Sequence, residues 1–280
     1  MLKTTIITAA SEKYVDSLFA LIGSVNCNWT NHPPIVVYDI GLEEKSLTFL
    51  HKANIEVRKV PAFCDHWRKH YTWKIWCINN IETENVIYMD AGICVLDNLD
   101  EIIEEINRIG YFFVPNYQFL DWEASEQACE GCGVDFSFRI GKGTIAGNLL
   151  GFKKKGNAND LTYEAFSISL SEKNIMPYNA KHKQDQSIYS LLIHKHYPNP
   201  VLHDGFTYLG WKSPRMVENQ KIWVHRRGML KDDMAEYKNR IINPGTIYQP
   251  KDPKKDINVL QKIKMQTLLF AKITIRKFIP

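Results

Sequence analysis

The stretch VIYMDAGICVLDNLD, residues 86–100, decides how the chain is read. Four apolar or aromatic residues run straight into Asp90, a small pair follows, and a second apolar run leads to a further acidic cluster. A short apolar run without polar alternation predicts a strand buried on both faces, and an acid that closes such a strand sits where side chains leave the core. The pattern recurs toward the N-terminus. TTIITAA (4–10), PIVVYDIG (34–41) and IEVRKV (55–60) read as strands. Between them Tyr14, Leu18, Leu21, Ile22 and Val25 recur at helical spacing, and EEKSLTFLHKA (43–53) and HYTWKIWCINNI (70–81) also read as helices. Strands alternating with helices predict an α/β fold, a mostly parallel central sheet with flanking helices. Ligands of such open sheets bind beyond the carboxyl ends of the strands, which singles out Thr8, Asp39 and Asp90.

The second half is less regular. YFFVPN (111–116) and TIAGNLLGFKKK (144–155) read as strands, QDQSIYSLLIHKH (184–196) as a helix, and KIWVHRRGML (221–230) as a strand leading into a turn. The stretch between the first two strands, residues 117–143, mixes aromatics, acids and glycines and reads as loop. No internal repeat and no low-complexity linker interrupts the chain, so residues 1–250 are taken as one domain and 251–280 as a tail.

Composition narrows the class. With 280 residues, 45% hydrophobic and 24% charged, the chain can bury one good-sized core, and neither disorder nor a membrane-spanning class is indicated. The net charge of +4 is unevenly spread: residues 251–280 hold eight Lys/Arg against two Asp/Glu, and the body is mildly acidic. That distribution argues against a nucleic-acid groove and for one basic end meeting an anionic surface. Six cysteines, four of them within apolar segments, suit reduced core thiols and a cytoplasmic address. The opening MLKTTIITAASEKY is too short in apolar residues for a signal peptide.

Several motifs are set aside. Cys129 and Cys132 form a single C-x-x-C with no second pair at zinc spacing. His66 and His70 sit four apart on a predicted helix but lack the glutamate of H-E-x-x-H. Neither G-x-G-x-x-G nor a P-loop pattern occurs.

NVIYMDAGICVLDNLDEI resembles the segment of GT-A glycosyltransferases, particularly glycosyltransferase family 8, in which a strand ends in a D-x-D motif followed by an aliphatic run and a helix start. Three further segments agree in order: YTWKIW with the Thr/Lys-bearing helix before the motif, KQDQSIYSLL with the DQ helix, and HRRGMLK with the H-x-x-G-x-x-K element. Together they span most of residues 4–231. The resemblance implies a Rossmann-like GT-A fold and transfer of a hexose from a nucleotide diphosphate sugar, UDP-linked, with retention, to a glycan or glycolipid acceptor.

Such transfer leaves negative charge on the departing diphosphate, which metals or fixed cationic side chains neutralise. The resemblance implies a divalent cation, Mn²⁺ or Mg²⁺, held by Asp90 and by His225, imidazole suiting Mn²⁺ better. It places Lys74 and Lys231 toward the phosphates, supplemented by Arg226 and Arg227, with Gly228 allowing close backbone approach. By the same resemblance Thr8 and Ala9 contact the base or ribose, Ala91 and Gly92 belong to the donor-binding residues, Asn148 in AGNLLGF meets the donor sugar, and Asp185 and Gln186 lie near the anomeric carbon or acceptor. Asp185 is the one general base to name. Tyr117, Phe119 and Trp122 offer apolar faces to an acceptor sugar.

Gly92 departs from the pattern, standing where the family has the second aspartate. Two arrangements follow. One is a weaker Mn²⁺ site built by Asp90, His225 and the diphosphate; the other is metal-free, with Lys74, Arg226, Arg227 and Lys231 carrying the charge. The same departure motivates a non-catalytic alternative, a nucleotide-sugar or glycan-binding scaffold. In the tail Leu260, Ile263, Thr267, Phe270, Ala271, Thr274 and Phe278 fall on one helical stripe opposite Lys262, Lys272 and Arg276. That basic helix either lies on an anionic membrane, on the inner face, or packs on protein.

Overall fold

The computed structural model describes residues 4–176, 182–226 and 228–252. β-Branched runs form the strands that the core needs. β1 (Thr4–Ala10), β2 (Ile35–Asp39), β3 (Glu56–Lys59) and β4 (Asn85–Met89) lie parallel, connected through α1 (Val15–Asn28), α2 (Glu44–Lys52) and α3 (Thr72–Asn80). After a short strand β5 (Ile93–Val95) comes α4 (Asp100–Ile109), stopped by Gly110 in the left-handed region at φ 91°. β6 (Tyr111–Phe119) and β7 (Gly143–Lys153) complete a six-stranded sheet of order β3-β2-β1-β4-β7-β6. Only β7 runs against the others, pairing antiparallel with both β4 and β6.

The 117–143 stretch is more ordered than its composition predicts. β6 extends to Phe119, and α5 (Leu120–Glu123), α6 (Glu126–Gly131) and a 3₁₀ turn at Phe136–Arg139 follow. Ser125 caps α6 by accepting the Ala128 N–H at 3.1 Å, a local signal that the aromatic and acidic mixture obscured. α7 (Gly156–Ser169), α8 (Glu172–Ile175), α9 (Gln184–His196) and α10 (Gly205–Leu209) precede β8 (Ile222–Val224), and α11 (Lys231–Ile242) ends the series. His66 and His70 lie in turns rather than on a helix, where His66 Nε2 bonds Ser169 O and His70 pairs with Glu172.

Strand alternation sorts the core into two layers. Ile7, Ala9, Val86 and Tyr88 face a cluster with α3, α7 and α9 residues, whereas Ile6, Ala10, Ile87 and Met89 face one with α1 and α4 residues. Each fully buried aliphatic there contributes about 1.5–3 kcal/mol. On the second face α1 meets α11 so closely that a Cβ at Gly23 would stand 1.8 Å from Tyr237 O. No helix among the described residues is long and apolar enough to cross a membrane. The basic tail lies outside the described residues.

Candidate active site at the carboxyl end of the sheet

Asp90 follows β4 and keeps the parity of Tyr88, so its carboxylate emerges on the α3/α7/α9 face. Lys74, from the first turn of α3, meets it there: Nζ lies 3.2 Å from Asp90 Oδ1 and 2.8 Å from Asp185 Oδ2, on the first turn of α9. Gly147 O accepts a third Lys74 bond at 3.1 Å, and the Tyr88 hydroxyl donates to Asp90 Oδ1 at 2.6 Å. The Lys74 ammonium also sits over the Tyr71 and Tyr88 rings, at 5.1 and 5.0 Å from their centroids.

β7 is irregular where it meets this cluster. Its pairing with β6 jumps from Phe113↔Leu150 to Pro115↔Ile145, which places Ala146–Leu149 in a bulge. The bulge turns the Gly147 carbonyl toward Lys74 and lets Asn148 O accept the Asp90 N–H at 2.9 Å. A Cβ at Gly147 would lie 3.1 Å from Asp185 Oδ2, a tight contact that would press on that carboxylate.

Backbone strain gathers around the same segments. Apart from asparagines in turns, the described non-glycine residues at positive φ are His70 (56°), Tyr71 (58°), Gln184 (43°) and Arg226 (44°). The first pair leads into α3, Gln184 precedes Asp185, and Arg226 follows His225. Strain of this kind costs about 1–3 kcal/mol per residue and concentrates where geometry serves a ligand.

Burial pulls the Lys74 pKa down, but the charges of Asp185 and Asp90 outweigh it and hold the group above the ordinary lysine range. Burial pushes the Asp185 carboxyl up, against the pull of Lys74. The Asn148 Oδ1 and Gln186 Nε2 atoms beside the cluster are buried without a hydrogen-bond partner among the described residues.

The β5–β8 ribbon runs next to the turn that follows β4. Ile93 pairs with Val224, and the His225 N–H donates to Gly92 O at 3.1 Å, so the H-x-x-G-x-x-K element runs beside the Asp90–Gly92 turn. His225 is buried, and that burial draws its imidazole down to about 4, leaving it neutral. Gly228 N–H closes a turn onto His225 O at 2.6 Å. Arg226 is exposed and lies 6.0 Å from the Trp211 ring, and Lys231 is the exposed first residue of α11. Arg227 lies outside the described residues.

The other expected residues are placed less directly. Thr8 is fully buried on the opposite face of β1 from Asp90, its hydroxyl without a hydrogen-bond partner among the described residues. Ala9 and Ala91 are buried. Asp39 Oδ1 accepts the Gly41 and Leu42 N–H groups at 2.7 Å each, so that carboxylate closes a turn. Tyr117 stacks on Phe206, whereas Trp122 is 65% exposed and meets Phe119 edge-on. Cys129 and Cys132 are buried free thiols. Among the described residues no three or more His, Cys, Asp or Glu side chains gather in a group able to hold a metal.

Tyr88 and Gly147 were not singled out by the sequence reading. Tyr88 was within reach, because a residue two before Asp90 shares its face; the Gly147 carbonyl was not, since nothing in its letters announces the bulge.

The sheet order with its one reversed strand is that of a GT-A architecture. Solved structures share it, two glycosyltransferases among them. One is the galactosyltransferase LgtC in complex with donor and acceptor sugar analogs, 15% identical over 88% of this chain and 98% of that one, with a TM-score of 0.56. The other is the bifunctional glycosyltransferase WbbM in its apo form, 12% identical over 87% of this chain, with a TM-score of 0.57. The chain spans 50% of the length of WbbM. At such identities the likeness is one of fold. No family model matches the chain, and no curated protein does.

Proposed function

We propose that the chain is a glycosyltransferase that moves a hexose from a UDP-linked donor to a hydroxyl of a glycan or glycolipid, with retention of configuration. The observation that carries the reading is the meeting of buried Lys74 and Asp185 with half-exposed Asp90, from three separate places in the chain, beyond the carboxyl end of β4. In this reading the diphosphate lies between that cluster and the 225–231 segment. Arg226 and Lys231 face its charge, Asn148 and Gln186 bond sugar hydroxyls, and Asp185 stands nearest the anomeric carbon. Exposed Trp122 supplies an apolar face to the acceptor.

Incubation of the purified chain with a panel of UDP-, GDP- and dTDP-sugars tests this. Slow hydrolysis of one UDP-sugar, abolished by Asp185→Asn, is the expected result. Tight binding of a UDP-sugar with no turnover, with or without oligosaccharide acceptors, replaces the enzyme by a nucleotide-sugar-binding scaffold. No binding of any donor removes the site.

A further inference from the structure

Three oxygens surround Lys74 Nζ: Asp185 Oδ2 at 2.8 Å, Gly147 O at 3.1 Å and Asp90 Oδ1 at 3.2 Å. Two carboxylates and a carbonyl are the donor set that a hard cation takes. Here the cation is an ammonium, on a side chain only 4% exposed. It is tethered through α3, so it is part of the fold rather than an exchangeable ion.

The residues around Asp90 do not fit a divalent cation beside it. Asp90 Oδ1 is already shared by Lys74 and the Tyr88 hydroxyl. A second positive charge bound to the same carboxylate would stand within a few ångströms of the ammonium and be repelled by it. Gly92, where a second carboxylate would complete the ligand set, offers only backbone, and its carbonyl is taken by the His225 N–H. His225 adds one imidazole, and the described residues hold no group of three or more metal-binding side chains.

Glycine at 92 is also not demanded by the fold. A Cβ there would meet nothing within 4 Å, and its φ lies outside the left-handed region. Neither crowding nor backbone conformation therefore explains the absence of a side chain.

We propose that the Lys74 ammonium takes the place of the divalent cation in this chain, so that a nucleoside diphosphate binds without metal, and that position 92 is a ligand site left open. The nucleotide half rests on the donor-site reading above; the metal half does not. The charge of the diphosphate then falls to fixed cations, Arg226 and Lys231 among them.

Electron paramagnetic resonance titration of Mn²⁺ into the full chain tests the metal half without any nucleotide. Wild type is expected to leave Mn²⁺ free in solution. Gly92→Asp, which adds a carboxylate into open space, should bind it at least about tenfold more tightly, and the isosteric Gly92→Asn should behave as wild type. Calorimetry with UDP is expected to give affinities within about threefold of each other in EDTA and in Mn²⁺ for wild type. Stoichiometric Mn²⁺ binding by wild type, or UDP binding that collapses in EDTA, would overturn the proposal. UDP binding in neither condition would instead defeat the donor reading, while the Mn²⁺ titration still decides the metal question.

Discussion

Lys74 and Asp185, separated by more than a hundred residues, form a buried ion pair at 2.8 Å, and Asp90 shares the same ammonium at 3.2 Å. Burying charge is costly unless partners are close, and here each partner comes from a different element. The pair thus ties α3 to α9 and both to the end of β4.

Removing the cation strands two carboxylates. Lys74→Met is expected to lower stability by about 3–5 kcal/mol, because Asp185 remains buried without its counter-charge. Adding Asp185→Asn to that variant should recover part of the loss. Urea denaturation of the two single variants and the double variant measures the coupling; purely additive effects would show that the pair contributes nothing.

The contact between α1 and α11 leaves no room for a methyl group. A Cβ at Gly23 would lie 1.8 Å from Tyr237 O, a backbone atom that cannot rotate away. Gly23→Ala is expected to cost about 3 kcal/mol or more by forcing the helices apart. The expected loss is seen as a lower urea midpoint; an unchanged midpoint would mean that α11 docks otherwise.

Gln184 holds φ at 43° immediately before Asp185. Asparagine occupies the left-handed region more readily than glutamine. Gln184→Asn should therefore raise stability by about 0.5–1 kcal/mol, read as a higher melting temperature. A decrease would show that the Gln184 contact with Met176 Sδ, at 3.5 Å, outweighs the backbone relief.

His182 gives the site's surroundings a pH dependence. Burial draws its imidazole from 6.5 to about 4, the bond at Gln184 opposing, so the folded state resists a proton that the unfolded chain accepts. Its contribution is present above pH 6.5 and is lost as pH falls toward 4, amounting to about 3 kcal/mol across that window. His182→Gln should flatten the stability profile there by about one proton, checked by urea unfolding at stepped pH. His225, drawn down to about 4 by burial, contributes a second step of the same sign.

Local pattern was enough for the architecture. β-Branched runs spaced by helical periodicity determined the strands β1 to β4 and their parallel arrangement, because periodicity and burial are written in neighbouring residues. The position of Asp90 just past the end of β4 was legible for the same reason, since the apolar run before it marks the strand. The tertiary structure alone decided what Asp90 touches. Lys74 and Asp185 reach it only because α3 and α9 pack on one face, and the Gly147 carbonyl reaches Lys74 only because β7 bulges there. Asp39 shows the converse, since its strand-end position matches that of Asp90 while its carboxylate is consumed by its own turn. Side-chain partners far apart in the chain depend on the summed geometry of every element between them, and no single segment encodes that sum.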